Sequence, residues 1–107
     1  MLKKKKCVPC EGGIPPLKEN DINKYKEEIK EDWLVENNHI LKKTFYFVNF
    51  KQTMDVVNKI AELAENEGHH PVMHVRFGKL EIYLWTHAID GLSENDFILA
   101  AKIDDIV

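Results

Sequence analysis

Two adjacent imidazoles, His69 and His70, close the run Glu65-Asn66-Glu67-Gly68-His69-His70-Pro71, and a third, His87, follows Trp85-Thr86. Imidazole changes charge closer to neutral pH than any other side chain, so three rings at one place could deliver and remove protons within a single reaction. Pro71 disfavours helical geometry at His70, which pushes that residue extended and sends the two rings of the doublet in different directions. A helix ending just before His69, and a carboxylate at Glu65 or Glu67, would both favour the protonated ring. Glu65 stands one helical turn before His69 and is placed to hold or polarise an imidazole. Taken singly, a histidine before a proline is ordinarily a capping or solvated residue; convergence of three lifts the reading above that. His39 and His74 lack such support and read as solvent-facing or rim residues, and Trp33 and Trp85 are more often packing residues than ligand stackers.

These residues need elements to bring them together. Asn49 is a cap for a long helix through Glu67, with Phe50, Met54, Val57, Ile60, Ala61 and Ala64 on one face and Gly68 as its stop. Met73 to Phe77 and Leu80 to Thr86 alternate as two strands around a Gly78-Lys79 turn, with Leu80, Ile82, Leu84 and Thr86 on one face and Glu81, Tyr83, Trp85 and His87 on the other. The start of one antiparallel strand lies beside the end of its partner, so His87 is expected to approach the His69-His70-Pro71 turn. Upstream, Asn20 or Asp21 caps a short helix with Ile22, Tyr25 and Ile29 at helical spacing. Trp33 to Val35 and His39 to Val48 then form a hairpin around Glu36-Asn37-Asn38. Ser93 opens a last helix, where Asp96 either completes a capping box or orients His87.

The order is helix, hairpin, helix, hairpin, helix, which predicts an α+β fold: one four-stranded antiparallel sheet with helices packed on one face. Tyr83 and Trp85 on the other face suggest a partner subunit or a ligand there. A chain of 107 residues holds one core. Residues 1–18 hold three of the four prolines and read as an irregular arm, laid over the domain or mobile, and 19–107 as a single domain. The Lys3 to Lys6 run reads as a solvated tail.

A composition 44% apolar and 31% charged is that of a globular protein, and no stretch approaches the roughly 18 apolar residues of a membrane span. A formal charge of −3 disfavours nucleic acid as the main partner. No apolar run follows the basic start, so a secretory signal is unsupported and the cytoplasm is expected. Cys7 and Cys10, in Cys7-Val8-Pro9-Cys10, are open to three readings: incidental thiols, half of a metal site, or redox chemistry.

Together, His69-His70-Pro71, His87 after a hairpin, and Gly91-Leu92-Ser93-Glu94-Asn95-Asp96 resemble the signature of the pterin-4a-carbinolamine dehydratases, with Glu65 and Trp33 at recurrent upstream positions. The likeness covers nearly the whole chain. Trp85-Thr86-His87 and the stretch from Asp96 to Asp104 look like bacterial-type members, some of which also open with a cysteine-containing arm. Met73 departs from the large or aromatic residue that many members carry there, which bears on pocket shape.

The resemblance implies a two-layer α+β fold assembled as a homodimer or homotetramer. It implies a pterin substrate, the 4a-carbinolamine released by a pterin-dependent aromatic amino acid hydroxylase, dehydrated to the quinonoid dihydropterin so that the tetrahydropterin is recycled. His69, His70 and His87 would be catalytic, with His70 and His87 exchanging the protons, and Glu65, Pro71, Trp33, Trp85 and Asp96 would bind or support. No cofactor or metal is expected, since the pterin is itself the substrate. Alternatives are a non-catalytic, coactivator-like interaction protein and pterin handling in molybdopterin metabolism. A metal module built on His69, His70, His74 and His87 with the two cysteines is disfavoured, because adjacent histidines rarely share one zinc and Pro71 breaks helical i, i+4 spacing.

Overall fold

The computed structural model describes residues 2–8 and 14–107. Strands β1 (Leu34–Glu36), β2 (Ile40–Tyr46), β3 (Val72–Arg76) and β4 (Lys79–Leu84) form one antiparallel sheet in the order β1-β2-β4-β3. Helices α1 (Glu19–Lys26), α2 (Phe50–Glu67) and α3 (Glu94–Ile106) complete the expected α+β order. Side chains alternate across a strand, so Leu80, Ile82 and Leu84 enter the core together with Leu41 of β2, all without exposure. Because β2 and β3 flank β4 and both run antiparallel to it, they are parallel to each other, and α2 is the crossover between them.

The α2 stripe that meets the core is Thr53, Val57, Ile60 and Ala64. Phe50 and Ala61 fall beside that stripe and are exposed, unlike the face expected from the sequence. Thr53 sets the alignment, since its hydroxyl donates to Phe77 O at 2.9 Å and ties α2 to the second hairpin. Asn49 caps α2 by accepting Gln52 N–H at 2.8 Å. Gly68 ends it at φ 65, a left-handed conformation in which a side chain would be strained. α1 is capped at Lys18 and not at Asn20 or Asp21; Asp21 instead joins Glu19 in the first turn, where acidic residues suit the helix dipole. The second hairpin turns at Phe77-Gly78, because Arg76 already pairs with Lys79.

β4 stops at Leu84. Thr86 then bridges to Gly91, closing a loop through a short 3-10 turn over His87–Ile89. The last helix, α3, is buried along Asn95–Ala100 and begins with the expected capping box of Ser93 and Asp96. The open sheet face is mixed: Tyr83 donates to Glu81 at 3.1 Å, meets the His74 ring at a tilt with centroids 5.1 Å apart and lies under the Lys42 ammonium, while Leu34 and Tyr46 are exposed on the same face. Lys43, 4% exposed, points into the core, where Asp104 at 2.7 Å and Asp32 at 3.0 Å balance its charge.

Residues 2–8 of the arm are docked, with the lysine side chains exposed on its outside. Leu2, in a 3-10 turn over Leu2–Lys4, is 3% exposed and joins the core, while Lys3 meets Asp105 and Lys5 meets Glu94. Such surface ion pairs add little, so the apolar anchor at Leu2 is the main hold. Cys10 lies outside the described residues.

Candidate active site

The site is built around one buried carboxylate. Asp96, with no exposure, uses both oxygens: Oδ1 meets His69 Nε2 at 2.6 Å, and Oδ2 accepts the Thr86 hydroxyl and the Ser93 N–H, each at 2.9 Å. An ionised carboxylate only accepts, so opposite an ionised Asp96 the bond is donated by His69 Nε2–H. The Thr86 and Ser93 hydroxyls stand 2.7 Å apart and complete the cluster. Asp96 therefore caps α3 and joins the histidine doublet to Thr86, whose neighbours are Trp85 and His87. It orients His69, where the sequence suggested His87.

His70 takes the other carboxylate. Its Nε2 pairs with Glu65, the last turn of α2 reaching back over Gly68, and both side chains are more than half exposed. His87 lies with its ring 4.4 Å from that of Trp85. A cleft of about 340 Å³ is lined by His69, His70 and Pro71 from one segment and by Trp85, Thr86 and His87 from the other. That volume is at the low end of small-molecule sites, which run from roughly 300 to 1,000 Å³.

The remaining candidate residues divide. Trp33 is fully buried, donates Nε1–H to Asp104 at 2.8 Å and belongs to the core, away from the residues that line the cleft. Met73 also faces the core, opposite Ile82, so Val72 and not Met73 borders the cleft. His39 pairs with Asp90 at 3.3 Å and His74 lies tilted against Tyr83 on the open sheet face, both outside the cleft. Thr86, Ser93, Asn95 and Val8 were missed by sequence reasoning. The alternation that buries Thr86 beside Leu84 is a signal that could have found the first of them.

Val8 and Asn95 also border the cleft. The Cys7 N–H donates to Glu67 Oε1 at 2.9 Å, and Lys102 holds the other oxygen at 2.9 Å. Burial, with the Glu67 carboxylate beside it, pushes the Cys7 thiol up to about 12. A thiol so held is protonated near neutrality and a poor nucleophile, which argues against redox work by Cys7. Among the described residues, no three of His, Cys, Asp and Glu converge in a metal-holding group.

The family model for pterin 4 alpha carbinolamine dehydratase matches residues 15–106. The chain belongs to that family. Relatives provisionally named pterin-4-alpha-carbinolamine dehydratase include one from Alkaliphilus metalliredigens, 50% identical over 96% of this chain and 93% of its own. Another, from Rubrobacter xylanophilus, is 45% identical over 96% of this chain and 95% of its own. The fold matches a crystal structure titled transcriptional coactivator/pterin dehydratase from Brucella melitensis, with TM-score 0.78 and 24% identity over 85% of this chain and 97% of that one. It also matches a pterin dehydratase-like protein described as a RuBisCO assembly factor in the alpha-carboxysome, with TM-score 0.61 and 25% identity over 70% of this chain and 88% of that one. Among the described residues, no helix is long and apolar enough to cross a membrane.

Proposed function

We propose that this chain dehydrates a 4a-hydroxytetrahydropterin, of the tetrahydrobiopterin kind, to the quinonoid dihydropterin and water. What supports the reading is that His69, His70 and His87, from two separate segments of a chain of this family, border one small cleft. In the reaction a protonated imidazole gives its proton to the C4a hydroxyl, the C–O bond breaks and water leaves. A neutral imidazole then removes the proton from N5, and the electron pair of that N–H bond completes the new C4a=N5 double bond. Each positioned acid or base contributes typically about 10² to 10⁴ in rate.

His70 and His87 are the proton-exchanging pair in this reading, and His69, held by Asp96, orients the pterin. Glu65 fixes the tautomer of His70, Pro71 restrains its backbone, and Trp85 offers the pterin a flat apolar face beside His87. The pterin is substrate, so no further cofactor enters. Recycling of the pterin for an aromatic amino acid hydroxylase, homo-oligomeric assembly and a cytoplasmic place of action belong to the same reading. Coactivator and assembly roles, named in the titles of the structural neighbours, would need a partner surface and no set of histidines.

The deciding experiment follows dehydration of freshly made carbinolamine by absorbance with the parent chain and His70→Ala. The side chain is 60% exposed, so the variant should fold as the parent does. A rate loss of about 10² or more is expected. Activity within a few-fold of the parent would remove His70 from the mechanism.

A further inference from the structure

The arm is bound more specifically than a tail requires. Val8 N–H donates to Asn95 Oδ1 at 3.0 Å, and Asn95 Nδ2 donates back to Val8 O at 2.7 Å. This reciprocal clasp takes the place of the two bonds that a neighbouring strand would make. One residue earlier, Cys7 N–H is held by Glu67 at 2.9 Å. Glu67 stands two residues before His69, and Asn95 one residue before Asp96. The arm thus bridges the end of α2 and the start of α3, next to both partners of the part-buried His69–Asp96 pair.

With its backbone taken up, Val8 keeps its side chain free. The residue is 66% exposed and borders the cleft beside His69, His70 and Trp85. A β-branched side chain on a clamped backbone has little freedom left to lose when a ligand packs on it. Resting on the reading of this cleft as the pterin site, we propose that the arm at Val8 is a wall of that site. Val8 is a specificity-determining residue that packs on the pterin, and Asn95 and Glu67 are positioning residues that hold it there. Val8 exchanges no proton and meets substrate and transition state alike, so its contribution belongs to KM and not to kcat.

The test uses the full chain as parent, Val8→Trp, Val8→Ser, Asn95→Ala and the double variant of Val8→Trp with Asn95→Ala. Initial rates with carbinolamine are read beside fluorescence titration with a 7,8-dihydropterin, which has no 4a-hydroxyl to lose, and beside melting temperatures. Val8→Trp should obstruct the cleft and raise both KM and the dihydropterin Kd about tenfold or more, with kcat within about two-fold. Val8→Ser should raise them less, in the same direction. Asn95→Ala should also raise KM, and adding Val8→Trp to it should add little, because a released wall obstructs less than a fixed one. That coupling would not follow from a merely structural arm.

If Val8→Trp fails to fold, Val8→Ser and Asn95→Ala carry the same decision. KM and Kd within about two-fold of the parent in the folded Val8 variants would overturn the proposal. A parent that neither turns over carbinolamine nor binds dihydropterin would sink the pterin reading and this proposal with it. A working parent indifferent to residue 8 would sink the arm's role alone.

Discussion

Three donors aim at the two oxygens of Asp96, which makes this residue sensitive to a change of one atom. In Asp96→Asn the amide NH₂ must face either His69 Nε2–H or the Ser93 N–H, and neither can accept unless His69 changes tautomer. The expected outcome is a kcat lower by about 10² or more, with stability reduced by about 1–3 kcal/mol, read by rapid kinetics and by melting. Of this cluster, His69 and Asp96 were legible in the sequence as site residues, and Ser93 as the capping partner of Asp96; Thr86 as a partner, and the pairing of His69 with Asp96, were not. Counting one helical turn from Glu65 leads to His69, but the left-handed Gly68 takes the chain off helical register, and Glu65 meets His70 instead. His69 is thereby left to Asp96, a residue 27 positions away.

Among the elements, the end of α2 depends on the arm and on α3. Burial alone would raise the Glu67 carboxyl, but the Lys102 ammonium and the Cys7 N–H outweigh it and hold the group below its ordinary 4.5. A carboxyl lowered in the folded state stabilises the protein above its unfolded value, and that stability is lost as pH falls through the folded value. The melting temperature of the parent should therefore exceed that of Glu67→Gln by a constant margin above about pH 5.5, and the margin should narrow below about pH 4.5. Thermal melts of both proteins across that range check the sign. Helix α2, its Asn49 cap and its Gly68 stop follow from local rules, which is why they were readable. The start of α1 and the exact buried stripe of α2 were not, because both depend on what the helix packs against.

Across the whole molecule, β4 sits between β2 and β3, and its inner row of Leu80, Ile82 and Leu84 carries the helices. Ile82→Ala should cost about 2–5 kcal/mol and lower the melting temperature on the order of ten to twenty degrees. Since Ile82 faces the helices and does not line the cleft, kcat measured well below the melting point should stay within a few-fold of the parent. A large loss of kcat in a folded Ile82→Ala protein would show that core packing sets the cleft geometry more tightly than the contacts imply.

By itself the sequence determined the three imidazoles, the order of helices and hairpins, and the alternation that divides core from solvent. These are set by residue type and by periods of two or about three and a half, which act over a few neighbours. Only the tertiary structure decided which carboxylates His69 and His70 meet, that Trp33 belongs to the core, and that an arm beginning in a lysine run reaches the cleft. Those outcomes rest on contacts such as Val8 with Asn95, 87 residues apart, whose geometry comes from packing and leaves no periodic trace in the chain.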